Sequence, residues 1–220
     1  MGLKRKPRRK SAGPVRERIG QAALGLFLQA GFSKVTMDEL ASNLGMSKKT
    51  IYRYYPGKEA LVKELVEQNL GLIGARIDGI VHSRELDFVE KLRELLGYVG
   101  TMIGNFGPAF STDLQKHAPG VWREIAEFRR RKIVANFGKL FAEGTKRGVF
   151  RKDLNPELLV RMYANTISAT LNPQTLSELP VTAKDIFDAI VKVFFEGLLT
   201  PRARAAHYRS GVITALKKEN

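Results

Sequence analysis

Ser47, Lys48, Lys49, Thr50, Tyr52, Arg53, Tyr54 and Lys58 crowd hydroxyls, cations and phenols into the short stretch SKKTIYRYYPGK, which breaks at Pro56-Gly57. These groups donate hydrogen bonds and carry positive charge, so the chemistry they offer is noncovalent recognition of an anion-rich surface. Covalent chemistry finds little footing elsewhere. There is no cysteine, hence neither a disulfide nor a thiolate metal site, and His82, His117 and His207 are scattered without ligand-like spacing. No glycine-rich phosphate loop and no standout carboxylate pair is present. The expectation is a protein that is not an enzyme and needs no metal or cofactor.

Charge points the same way. The 220-residue chain has a formal charge of +15, and residues 1–60 hold 13 Lys and Arg against 4 Asp and Glu. Residues 61–200 are nearly balanced at 19 against 17. A positive field concentrated at one end suits a polyanion, either a nucleic acid or an anionic membrane surface. Purely apolar runs fall well short of the ~20 residues of a membrane span. The opening MGLKRKPRRK has no apolar stretch behind it and no Ser or Thr at residue 6, so neither a secretory signal nor a myristoylation motif is expected. The chain reads as soluble and cytoplasmic, with no membrane partner.

The positioning elements read as all-α. Residues 1–13 form a flexible basic arm. Pro14 suits a first helical turn, and Val15, Ile19, Ala23, Phe27 and Ala30 continue at helical spacing to Gly31. Thr36 and Glu39 have capping-box spacing and open a second helix that ends at Gly45. Ser47 caps a third, and Lys58 opens a longer fourth. Further helices are expected near 85–103, 105–116, 119–146, 156–171 and 183–199, about nine in all. Residues 172–181 read as a loop and 201–220 as a polar tail with room for a short helix. The RRRK run at 129–132 reads as a solvated helix face.

The second and third helices, joined at Gly45, form a helix-turn-helix. On a helical wheel Lys48, Lys49, Tyr52 and Arg53 share an arc of about 140°, with Ile51 and Tyr54 opposite. A DNA major groove accepts such a helix, phosphates fixing its register while base edges are read. Here the sequence resembles the tetracycline-repressor (TetR) family of bacterial transcription factors. The resemblance is carried by A-x-x-L-F-x-x-x-G-F from Ala23, T-x-x-x-L-A from Thr36, and L-G-M-S-K-K-T-I-Y-R-Y-Y-x-x-K-E-x-L from Leu44.

That resemblance implies a helix-turn-helix DNA-binding domain at 14–60 and an effector-binding and dimerisation domain at 61–200, before the tail at 201–220. It implies phosphate contacts from Thr36, Ser47 and Lys58. Lys48, Lys49 and Thr50 would face base edges or the adjoining backbone, and Tyr52 and Tyr54 the phosphate or sugar. Many members carry glycine where this chain has Lys49, so its operator preference is its own; Lys49 and Arg53 can both reach guanine. Tyr55 is expected to pack between the third and fourth helices. The basic arm either adds contacts to DNA or is an inert tail.

In the second domain Gly97, Gly100, Gly104 and Gly107 form one stripe, serving close packing, helix breaks or ligand space. Met102, Phe106, Phe110, Trp122 and Phe128, with Asn165 as polar anchor, are the expected site of a small apolar or aromatic effector. Asn105 and Thr166 are further polar candidates. Leu159, Ile167, Phe187, Ile190 and Phe194 are the expected homodimer interface. The partners implied are a double-stranded DNA operator, a small-molecule effector and a second copy of the chain. The function expected is a ligand-responsive regulator, a repressor by family habit. The alternatives are an activator on the same scaffold or an architectural protein that binds DNA without regard to sequence.

Overall fold

The computed structural model describes residues 13–105 and 108–210, without the side chains of 105, 108, 109 and 206–210. Most of the arm at 1–13, Phe106, Gly107, residues 211–220 and the side chains of Asn105 and His207 therefore lie outside the described residues. The described chain is all-α, with helices α1 (Pro14–Ala30), α2 (Met37–Leu44), α3 (Lys48–Tyr54), α4 (Lys58–Val81), α5 (Phe88–Asn105), α6 (Pro108–His117), α7 (Pro119–Lys146), α8 (Pro156–Thr170), α9 (Pro173–Glu178), α10 (Ala183–Leu198) and α11 (Pro201–Ser210). It divides into two compact units, with the boundary between Leu65 and Val66.

In the first unit the helix ends follow local chemistry. Pro14 occupies the first turn of α1, and Gly31 ends it at φ 93°. Thr36 and Glu39 close a reciprocal capping box: the Glu39 N–H donates to Thr36 Oγ1 at 3.1 Å, and the Thr36 N–H donates to Glu39 Oε2 at 2.8 Å. Gly45 takes φ 61°, the left-handed turn that separates α2 from α3. Ser47 then caps α3 by accepting from the Thr50 N–H at 3.1 Å. Ile19, Ala23, Phe27, Leu40, Ala41, Ile51, Leu61 and Val62 form the small core these helices share.

In the second unit α7 packs against α6 and α8, α10 against α5 and α8, and α6 against α9. Phe88, Phe141, Phe150, Val191, Phe195 and Leu198 form the tightest part of its core. Gly144 of α7 makes that packing possible. A Cβ there would lie 2.7 Å from Phe88 Cζ and closer still to the Phe150 ring. An isolated bridge between Phe150 and Leu199 ties the segment after α7 to the end of α10.

One segment differs from expectation. Residues 172–181 contain α9, because Asn172 caps it, accepting from the Thr175 N–H at 3.0 Å, and Pro173 starts it. Pro201 starts α11, the short helix for which the tail left room, and with α9 the described helices number eleven. The glycine stripe is also settled in part. Gly97, Gly100 and Gly104 all sit inside α5 and do not break it. Gly100 packs on Phe187, where a Cβ would meet the ring at 3.6 Å, an ordinary contact. None of the three lines the cavity described below.

Candidate functional site

Helix α3 has two unlike sides. Ile51 is fully buried, while Lys48, Lys49, Tyr52 and Arg53 are exposed, Tyr52 by 49%. Tyr54 is half-buried with the Arg53 guanidinium 5.2 Å over its ring. Thr36 and Ser47 are exposed at the starts of α2 and α3, and the Ser47 and Thr50 hydroxyls lie 2.9 Å apart. Lys48 Nζ reaches Asp38 Oδ2 of α2 at 2.5 Å, and that hydrogen bond raises the pKa of the lysine.

What fixes α3 lies at its C-terminal end. Tyr55 is 2% exposed and donates to Glu64 Oε1 at 3.2 Å. Arg16 of α1 pairs with both carboxylate oxygens of Glu64, and its guanidinium stacks 4.6 Å over the Tyr55 ring. The Glu64 contact raises the pKa of Arg16, and burial, followed by the Glu64 charge, pushes the Tyr55 phenol up to about 12. Three elements thus converge on one carboxylate and hold the exposed arc of α3 in place.

Lys58 reaches back from the start of α4 to the turn between α1 and α2. Its ammonium donates to the carbonyls of Phe32, Ser33 and Val35 at 2.8, 3.0 and 2.9 Å, and lies 4.5 Å over the Phe32 ring. The three converging acceptors occupy the three N–H donors of an ammonium. Through these bonds Lys58 clamps the turn between α1 and α2.

The second unit encloses a cavity of about 240 Å³ among α4 to α10. Met102, Phe110, Trp122 and Phe128 line it as expected. Asn165 does not: it is exposed on α8, turned away by the helix phase that buries Tyr163, Ala164 and Ile167. Thr166 uses its hydroxyl on the Met162 carbonyl at 2.8 Å. The polar groups at the wall include Asn69, Ser111, Arg129, Lys132, Asn136 and Asn172. Lys132 pairs with Asp78 at 2.5 Å, which keeps that carboxyl below its usual range, and Asn136 Nδ2 donates to Asp78 at 3.4 Å.

The RRRK run is therefore corrected in half: Arg130 and Arg131 are solvated, but Arg129 and Lys132 turn to the cavity. The signal was phase, since Trp122, Ile125, Arg129, Lys132 and Asn136 recur at helical spacing on one side of α7.

Among the expected dimer residues, Ile167, Phe187 and Ile190 are buried in this chain's own core, a correction that follows from α8 and α10 packing on their protomer first. Leu159 and Phe194 are half-buried against the same cluster. The apolar surface these helices leave exposed is instead Leu158 (57%), Met162 (49%) and Val193 (71%). Among the described residues no acidic or histidine cluster could hold a metal ion, and no helix is long and apolar enough to cross a membrane.

Residues 19–65 match the family model for bacterial regulatory proteins of the tetR family. Across most of its length the chain is similar to the HTH-type transcriptional regulator YvaF of Bacillus subtilis (strain 168). The two are 27% identical over 182 residues, covering 83% of this chain and 94% of the relative. It is also 24% identical to the HTH-type transcriptional repressor DhaR of Mycobacterium sp. (strain GP1), over 84% of this chain and 93% of that one. Among solved structures, a TetR-family transcriptional regulator from Marinobacter aquaeolei VT8 shares the fold, with a TM-score of 0.65 and 20% identity over 92% of this chain and 97% of its own.

Proposed function

We infer that the chain, whose residues 19–65 match the tetR family model, is a transcriptional regulator of that family, and on that premise it is a dimeric repressor released from its operator by a small molecule. Residues 14–60 act as the DNA-binding head and 61–200 as the effector-binding and dimerisation body, working in the cytoplasm. The observation that carries the reading is the two-sided α3: an exposed arc of Lys48, Lys49, Tyr52 and Arg53 on a helix whose other side is pinned through Ile51 and Tyr55. The family-matched relative DhaR is named as a repressor. The apolar cavity supports a small apolar or aromatic effector. Release then requires that the effector bind the DNA-incompetent state more tightly.

The test is selection of fragments from the source genome at near-physiological salt, followed by sequencing. One or a few pseudo-palindromes should be enriched, with discrimination over bulk DNA of about 10³ or more. Binding that does not discriminate would leave an architectural protein. On the selected site, Lys49→Ala and Arg53→Ala are each expected to cost roughly 5- to 150-fold, the ~1–3 kcal/mol of a good base contact, with a smaller loss on random DNA. Equal losses on both, measured by fluorescence anisotropy, would move these residues from base reading to phosphate contact.

A two-fold pair of heads suits a pseudo-palindrome, and the exposed Leu158, Met162 and Val193 are the surface proposed to close the dimer. Met162→Glu together with Val193→Glu places like charges on both sides of that surface. Dimer dissociation should rise at least tenfold, about 1.4 kcal/mol or more, with a matching loss of operator affinity. Light scattering across micromolar concentrations reads it; an unchanged dimer would place the interface elsewhere.

A further inference from the structure

The cavity wall carries two cations, Arg129 and Lys132, and no aspartate or glutamate. Lys132 has its answer in Asp78 at 2.5 Å. Arg129 does not. Its Nη1 donates to the Leu171 carbonyl at 3.0 Å, while its Nε is buried with no hydrogen-bond partner. Burial without a compensating charge lowers its pKa. A guanidinium stays protonated in any protein setting, so the charge persists in the wall of a mainly apolar cavity. Buried charges are ordinarily paired, and an unanswered one in a cavity of this chemistry is a half-built ion pair whose other half is missing.

We infer that the cavity takes an amphipathic carboxylate, its hydrocarbon body against Met102, Phe110, Trp122 and Phe128 and its headgroup on the guanidinium of Arg129. This rests on the reading of the cavity as the effector site and adds the charge of the ligand to it. With Nη1 committed to Leu171, the guanidinium keeps further donors for a charge-assisted pair with a carboxylate. The walls reject a hydrated ion without an apolar body, and the lone unanswered charge favours a monoanion. The bland reading of Arg129 is a strut that holds the carbonyl following α8.

Trp122 is the chain's one tryptophan and lines the cavity, so its emission reports binding locally. The full chain would be titrated with octanoate, octanamide and octyl phosphate, following Trp122 emission and Tm, in the wild type and in Arg129→Met and Arg129→Lys. Octanoate should bind at least tenfold more tightly than octanamide. Arg129→Met should erase that preference and leave octanamide within about twofold, since methionine keeps the apolar contacts, and Arg129→Lys should keep part of it. Ligand-free Arg129→Met should have a Tm equal to or above wild type, as expected when an unanswered buried charge is removed.

Equal binding of acid and amide by the wild type, or a preference that survives Arg129→Met, would overturn the carboxylate while the cavity reading stands. Tighter binding of octyl phosphate would replace carboxylate by phosphate. Silence from all three probes would overturn the cavity as an apolar effector site, and this inference with it. If Arg129→Met fails to fold, Arg129 is a strut; the wild-type ratio of acid to amide then decides alone.

Discussion

Replacing Lys58 by arginine is expected to destabilise the N-terminal unit almost as severely as replacing it by methionine, by about 3 kcal/mol in each case. The reason is shape. Three carbonyls, from Phe32, Ser33 and Val35, converge on a single ammonium. A tetrahedral ammonium can serve all three, whereas a planar guanidinium spreads its donors in a fork and cannot converge on one point. Methionine removes the charge and leaves the acceptors without their donor. Hydrogen exchange of the α1–α3 amides reads the loss within that unit. A phosphate-binding lysine would behave in the opposite way, since arginine binds phosphate well. Intact stability in Lys58→Arg, with only DNA affinity lowered, would return Lys58 to the DNA surface.

Gly144→Ala should be the most damaging single-methyl addition in the second unit, at about 3 kcal/mol. The added Cβ would overlap the Phe150 and Phe88 rings, both almost fully buried and packed edge to face at 5.5 Å. Neither ring has room to swing, so α7 or the Phe150 segment must shift. For a chain of this size the fall in Tm is roughly 6 to 12 °C. Gly97→Ala in α5 supplies the contrast: nothing lies within 4 Å of its Cβ position, and alanine gains up to about 1 kcal/mol inside a helix. Thermal unfolding of the pair reads opposite signs, and a Gly144→Ala protein as stable as wild type would show that the core yields.

The all-α fold and the family resemblance were legible because their signals are local. Thr36 and Glu39, Asn155 and Pro156, and Thr182 and Asp185 each settle a helix start within a few residues. The same signature at Asn172 and Pro173 was outweighed by the polar composition around it, and α9 went unread. What stayed hidden was nonlocal. Nothing near Lys58 in the sequence says that its ammonium finds carbonyls 23 to 26 residues earlier. Within RRRK, residue type dominated helix phase, so Arg129 was grouped with its solvated neighbours. The polarity of Asn165 suits an anchor, but α8 turns it to solvent. The hydrophobicity of Ile167, Phe187 and Ile190 that suits an interface is also what buries them within their own chain. Leu158, Met162 and Val193, equally apolar in type but on the outer phase of α8 and α10, hold the exposed surface.

The Lys48–Asp38 pair has a thermodynamic consequence for how the protein meets its polyanion. A bare surface lysine that neutralises a phosphate liberates a condensed counterion, and each such event steepens the fall of log K with log[salt]. Lys48 brings its own anion, a carboxylate 2.5 Å away on the preceding helix. On the proposed reading, a phosphate arriving at Lys48 displaces that carboxylate, which then recruits a cation from solution. The exchange is nearly neutral in mobile ions. Lys48 would thus help set the register of the complex while adding little to its ionic-strength dependence.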